Sequence, residues 1–173
     1  MSGAMMRRAA GWMIALSCLA APARAQPPLC SVLPQDDVSR VLSSPVKLTE
    51  SGIETSKTGA GTIRTQMCRY DSPAGIGVGP ATVRVTVSQA ASPSAASQIF
   101  MVRSQTLRPM IAVDAEPLNG VGDEAVVFPK SGTISMRKLN VLVDVSVTLR
   151  DLNREREITL GEELATMAAG RIR

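Results

Sequence analysis

The chain has 173 residues, with 19 basic and 15 acidic side chains, three cysteines, no histidine and only four aromatic residues. Without histidine it can build no Ser-His or Cys-His nucleophilic pair. So few aromatic rings also argue against the stacking surfaces that hold bases and sugars.

Residues 1–25 read as an export signal. Arg7 and Arg8 form a positive n-region, and the apolar run from Ala9 to Ala20 is too short for a stop-transfer span. Pro22 breaks that run, and Ala23-Arg24-Ala25 has the small-x-small form of a cleavage site. Cleavage before Gln26 leaves residues 26–173 as a single exported domain, periplasmic or secreted, with no stable membrane span. The competing reading is lipidation at Cys18, although Leu16 sits one place away from where a lipoprotein box needs it. Arg7, Arg8 and Arg24 leave with the signal and no acid does, so 19 basic residues fall to 16 against 15 acidic ones. That near balance gives no reason to expect a nucleic-acid partner.

Cys30 and Cys68 remain, and an oxidising compartment makes a bridge between them the default. Two thiols without histidine make an incomplete metal set, so no metal and no cofactor is expected.

In chain order, Pro34 opens a short helix running to about Leu42, with Asp36 and Asp37 at its positive end. Pro45 prevents its continuation. Extended segments follow near 46–54 and 62–70, then a glycine- and proline-rich loop from Asp71 to Pro80. Val83, Val85 and Val87 alternate with Thr82, Arg84, Thr86 and Ser88, the pattern of a half-buried strand over 81–88. Ser92 and Pro93 start a second helix, which Pro109 closes. A short strand near 110–114 precedes the turn Gly120-Val121-Gly122-Asp123-Glu124. Strands at 125–128, 132–138 and 141–149 are joined by tight connections. The run Arg150 to Glu157 reads as a solvated turn. Thr159 and Glu162 have capping-box spacing for a last helix, about Leu160 to Ile172. The fold class is α+β: a mostly antiparallel sheet with about three helices on one face, possibly two helix-plus-strands repeats.

Few residues suggest chemistry. Gly75-Ile76-Gly77-Val78-Gly79 is followed by Pro80 and a strand rather than a helix, so it reads as a hairpin loop and not a phosphate cradle. Asp123 and Glu124 form a possible ligand or partner loop, set against a glycine-dependent turn that enters the next strand. A calcium loop would need more oxygen ligands than these. Arg84, on the hydroxyl-rich face of its strand, is a possible partner contact, set against an ordinary solvated sheet face. No nucleophile motif surrounds Ser131 or any lysine, and no catalytic residue is assigned.

Leu29-Cys30-Ser31-Val32-Leu33, Cys68-Arg69-Tyr70, Val83-Arg84-Val85-Thr86-Val87 and Gly120-Val121-Gly122-Asp123-Glu124-Ala125 together carry a resemblance. The chain resembles small exported bacterial domains of undefined function, often lipoproteins, that begin with a C-S-x-L helix and carry a later C-x-Y strand. It is more remotely similar to the extracellular sensor domains of some bacterial serine/threonine kinases. The resemblance implies a binding or sensing role and no catalytic residues. It leaves two expectations. One is a non-enzymatic exported domain that binds a small molecule or envelope component. The other is a structural or protein-interaction module of the periplasm. The first calls for a concave apolar pocket with a few convergent polar groups, the second for an exposed apolar patch or strand edge.

Overall fold

A computed structural model describes residues 28–75, 79–111, 115–150 and 153–173. The fold is α+β. A 3-10 helix, Leu29–Val32, leads into α1 (Gln35–Val41) and four strands: β1 (Lys47–Glu50), β2 (Glu54–Thr58), β3 (Gly61–Gly75) and β4 (Gly79–Ala90). Helix α2 (Pro93–Ile111) is followed by β5 (Glu116–Pro117), β6 (Glu124–Phe128), β7 (Thr133–Lys138), β8 (Val141–Leu149) and α3 (Arg154–Arg171). The eight strands form one antiparallel sheet in the order β1-β3-β4-β8-β7-β6-β5, and β2 also pairs with β3.

The strands of each half run outward from the centre, β4-β3-β1 on one side and β8-β7-β6 on the other. They meet where Val85 pairs with Val145. The strand order therefore repeats, but the helices do not follow it. Val83, Val85, Val87, Val143, Val145 and Val147 project to one face, which α1 and α3 cover with Val38, Leu42, Leu164 and Ala168. Helix α2 lies on the other face, where Ala96 and Phe100 pack on Ala90 and Leu142. The expectation of helices on one face only is thus corrected. Leu142 and Ala90 are apolar positions on the otherwise polar side of β8 and β4, and they give α2 something to cover.

Several boundaries also move. The extended segment at 46–54 is two strands, because both β1 and β2 use β3 as their partner: Glu50 pairs with Cys68, and Glu54 with Thr65. The loop from Asp71 to Pro80 is mostly strand. Asp71 pairs with Thr82, Ser72 with Ala81 and Gly75 with Gly79, with a register shift between Ser72 and Gly75. Ile76 to Val78 lie outside the described residues. Helix α2 continues past Pro109 to Ile111 rather than stopping at it. A proline this near the end of a helix removes only one interior hydrogen bond. Residues 110 and 111 of the expected 110–114 strand are therefore helical, and 112–114 lie outside the described residues.

The largest correction concerns α3. Its N-cap is Asn153, whose side chain accepts from the Arg156 N–H, and Thr159 sits inside the helix, donating to the Glu155 carbonyl. Glu157, expected in a solvated turn, is buried. Its Oε1 accepts the Leu149 N–H at 2.8 Å, and its Oε2 lies 2.7 Å from Arg154 Nη1 as an ion pair without hydrogen-bond alignment. The carboxylate ties the first turn of α3 to the end of β8, so the helix begins earlier than its local cap signal indicates.

Both sheet edges are short or polar. β5 is two residues long and ends in Pro117; the other edge is shared by β1, four residues with Lys47 and Glu50 at its ends, and β2, which is polar, fully exposed and carries Glu54 and Lys57. Such edges resist strand addition by another chain.

Candidate functional site

The sheet face under α1 and α3 carries a half-open recess where β3, β4 and β8 meet the 3-10 helix and the end of α3. The 3-10 helix is held there by three links to β3. The Cys30–Cys68 disulfide joins residues 38 apart in sequence, with Cα atoms 5.8 Å apart. The buried Gln66 Oε1 accepts the N–H groups of Leu29 (2.7 Å) and Cys30 (3.2 Å), while its Nε2 donates to the Ser51 carbonyl. The Tyr70 hydroxyl donates to the Leu33 carbonyl. Burial, with the nearby charge of Glu50, raises the Tyr70 phenol well above its ordinary value, so it remains a donor. The opposite wall is fixed by Arg171, which donates to Asp37 of α1, and by Lys138 Nζ, which donates to the Ala169 carbonyl at 2.8 Å.

Between these walls the recess has a volume of about 290 Å³. Leu29, Val32, Val87, Val141 and Ile172 give it apolar surfaces, and Arg64, Gln89 and Asn140 converge on it. Arg64 Nη1 donates to Gln89 Oε1 at 3.0 Å, and Asn140 Nδ2 donates to the Ala90 carbonyl at 3.0 Å. Among the described residues the Gln89 amide nitrogen and the Asn140 side-chain oxygen have no protein partner, which leaves a donor and an acceptor uncommitted at the lining of the recess.

On the opposite face, a polar ladder runs beneath α2. Thr65 and Ser88 share a hydrogen bond, Arg103 of α2 donates to Ser88 and to Asp144 (3.2 Å), and Ser135 donates to the other Asp144 oxygen. Burial raises the Asp144 carboxyl above the ordinary aspartate range. The Ser135 hydrogen bond and the Arg103 charge act the other way without cancelling it. Because the folded pKa is the higher one, folding takes up a proton between the two pKa values, and Asp144 lowers stability as pH rises through that window. Relative to Asp144→Asn, the wild type should therefore lose stability as pH is raised from about 4, the unfolded value. Urea midpoints of the two proteins across pH 3–7 measure this; parallel curves would contradict it.

The structure separates the residues singled out in the sequence. Arg137 collects both acids of the 120–124 stretch: Nε donates to Glu124 Oε2 at 2.6 Å and Nη1 to Asp123 Oδ2 at 2.9 Å. Asp123 also accepts the Leu139 N–H, and its own N–H donates to the Arg137 carbonyl. The pair thus clamps the loop to the β7–β8 hairpin. Arg84 shares the α2 side of the sheet with Glu124. It lies three strands away and four residues along, on the order of 20 Å by strand spacing and rise. The residues that sequence reading missed are Gln66, Arg64, Gln89 and Asn140. Isolated polar residues in or beside strands carry no local signal of a shared recess.

Among the described residues no three His, Cys, Asp or Glu side chains group as a metal site, and no helix is long and apolar enough to cross a membrane. Tyr70, Phe100 and Phe128 are all buried. No family model matches the chain, and neither does any curated protein or solved structure.

Proposed function

We propose that residues 26–173 form a non-enzymatic exported domain, periplasmic or secreted, that binds a small molecule in the recess beside the 3-10 helix. The single observation that carries this reading is the recess itself: apolar walls with Arg64, Gln89 and Asn140 converging on them. That combination suits a molecule with an apolar body and an anionic or hydrogen-bonding end. The non-enzymatic part rests on the residue inventory, with no histidine and with Cys30 and Cys68 joined to each other. The signal-like pattern over 1–25 and the Cys30–Cys68 disulfide support the location, and the resemblance to small exported domains, which implies a binding or sensing role, points the same way.

One observation favours the second reading, an interaction module. A groove of about 380 Å³ lies between the β2–β3 turn and α2, where Ala60, Ile99 and Val102 face it and Val102 is 61% exposed. The two readings give different results with a simple probe. Decanoate should raise the melting temperature of the wild type, raise it less in Arg64→Ala, and have no effect in Ser31→Trp, whose indole fills the mouth of the recess. Ser31 is exposed, so the domain should tolerate the change. An equal rise in wild type and Ser31→Trp would move the binding elsewhere, with the α2 groove as the next site to block.

A further inference from the structure

Arg69 on β3 and Arg84 on β4 are directly paired across the sheet, on the side facing away from the recess. Like charges at directly opposed positions destabilise an antiparallel pair. The sequence has no shortage of neutral alternatives for this face, since Thr82, Thr86, Ser146 and Thr148 occupy the surrounding positions. Among the described residues one carboxylate relieves the repulsion. Asp71 accepts from Arg69 Nε through both of its oxygens, at 3.0 and 2.9 Å, and leaves the two terminal nitrogens of Arg69 free. Among the described residues Arg84 makes no hydrogen bond or ion pair, and it acts on Asp71 only as a nearby charge.

Two guanidinium groups, one half-satisfied by Asp71 and one without a partner among the described residues, therefore stand side by side on an open shelf. Ser146 pairs with Arg84 on its other side, and Thr86 is two residues further along β4. Among the described residues neither hydroxyl has a hydrogen-bond partner, so both are available as neutral donors. The guanidinium fork matches an oxyanion with two parallel N–H donors, and two adjacent forks match a group with three terminal oxygens better than a planar carboxylate. The same strand continues to a shallow hollow of about 340 Å³, lined by Thr82, Thr148, Arg150 and Asp71; the Asp71 carboxylate is already engaged by Arg69 and Thr82, and Arg150 is the cation that a second anionic unit of the same ligand would meet. The shelf is open, so its ligand stays partly in water and is held by its charged end.

We infer that the Arg69–Arg84 shelf is an oxyanion site that takes a phosphoryl group, the terminal unit of a phosphorylated small molecule. It lies on the opposite face from the recess and does not depend on it. The charge pair then has a role that stability alone would oppose, and the two effects separate experimentally. Titration calorimetry at low ionic strength, with pyrophosphate as the probe, should show binding to the wild type. That binding should weaken at least about tenfold in Arg84→Thr, the loss expected for a charge-assisted pair. Arg84→Lys should bind at an intermediate level, because the charge stays and the fork is lost. The urea midpoint of Arg84→Thr should rise, which shows that the lost binding is not lost folding. Equal pyrophosphate affinity in wild type and Arg84→Thr would overturn the proposal. So would acetate binding as tightly as pyrophosphate, or a wild type that binds neither.

Discussion

Replacing Cys30 and Cys68 together with alanine should lower the unfolding free energy by about 4 kcal/mol, the chain-entropy value for a loop of this length. The bridge spans 38 residues and connects the first turn of the described chain to the centre of β3. Both half-cystines are buried in the main core, at 2% and 0% exposure, so truncation also leaves small voids there. The native contacts of Gln66 and Tyr70 survive the change and keep the 3-10 helix against the sheet at low denaturant. The expected result is therefore a large fall in the urea midpoint with an unchanged far-ultraviolet spectrum before the transition. A loss below about 1 kcal/mol would mean that the unfolded chain is already confined by other contacts.

Gly122→Ala should cost about 3 kcal/mol, while Gly120→Ala, two residues away in the same turn, should cost about 1 kcal/mol. Both glycines have positive φ, +83° at Gly120 and +63° at Gly122, so both substitutions carry the left-handed backbone penalty. They differ in their surroundings. A Cβ at Gly120 meets nothing within 4 Å, whereas one at Gly122 falls 2.5 Å from the Arg137 carbonyl oxygen and 3.3 Å from Met136 Sδ. The obstacle is backbone, and that backbone is fixed because the same Arg137 oxygen accepts the Asp123 N–H. Urea denaturation of the two single variants measures the difference directly. Equal costs would show that the β7–β8 hairpin yields, and that the Arg137 clamp is weaker than its geometry implies.

Most of the sheet was legible in the sequence, because the side-chain period of a strand is a local signal. Val83, Val85, Val87 and the alternate valines of 141–149 mark the face under α3 without reference to anything distant. The turn at 120–124 was legible for the same reason, since closely spaced glycines mark left-handed positions. What was missed depended on contacts between distant residues. Thr159 and Glu162 offered a valid cap, yet Glu157 bonds to the Leu149 N–H and places the helix start at Asn153. Local capping strength had no way to register that tertiary bond. Likewise Asp71 to Gly75 looked like a loop because Pro73 and Gly75 interrupt it, but β4 supplies partners across that stretch and absorbs the irregularity as a register shift. The recess was the least legible feature. It forms where Gln66 holds the 3-10 helix over β3 and β4, and no spacing in the chain connects Leu29 with Gln66, or Arg64 with Asn140.

Native mass spectrometry of the protein purified from its native source, alongside Ser31→Trp prepared in the same way, tests the central claim most directly. The account predicts an added small-molecule mass on the wild type that is missing from the variant, with both proteins carrying an intact disulfide. An added mass of equal occupancy on both proteins would contradict the recess as the binding site.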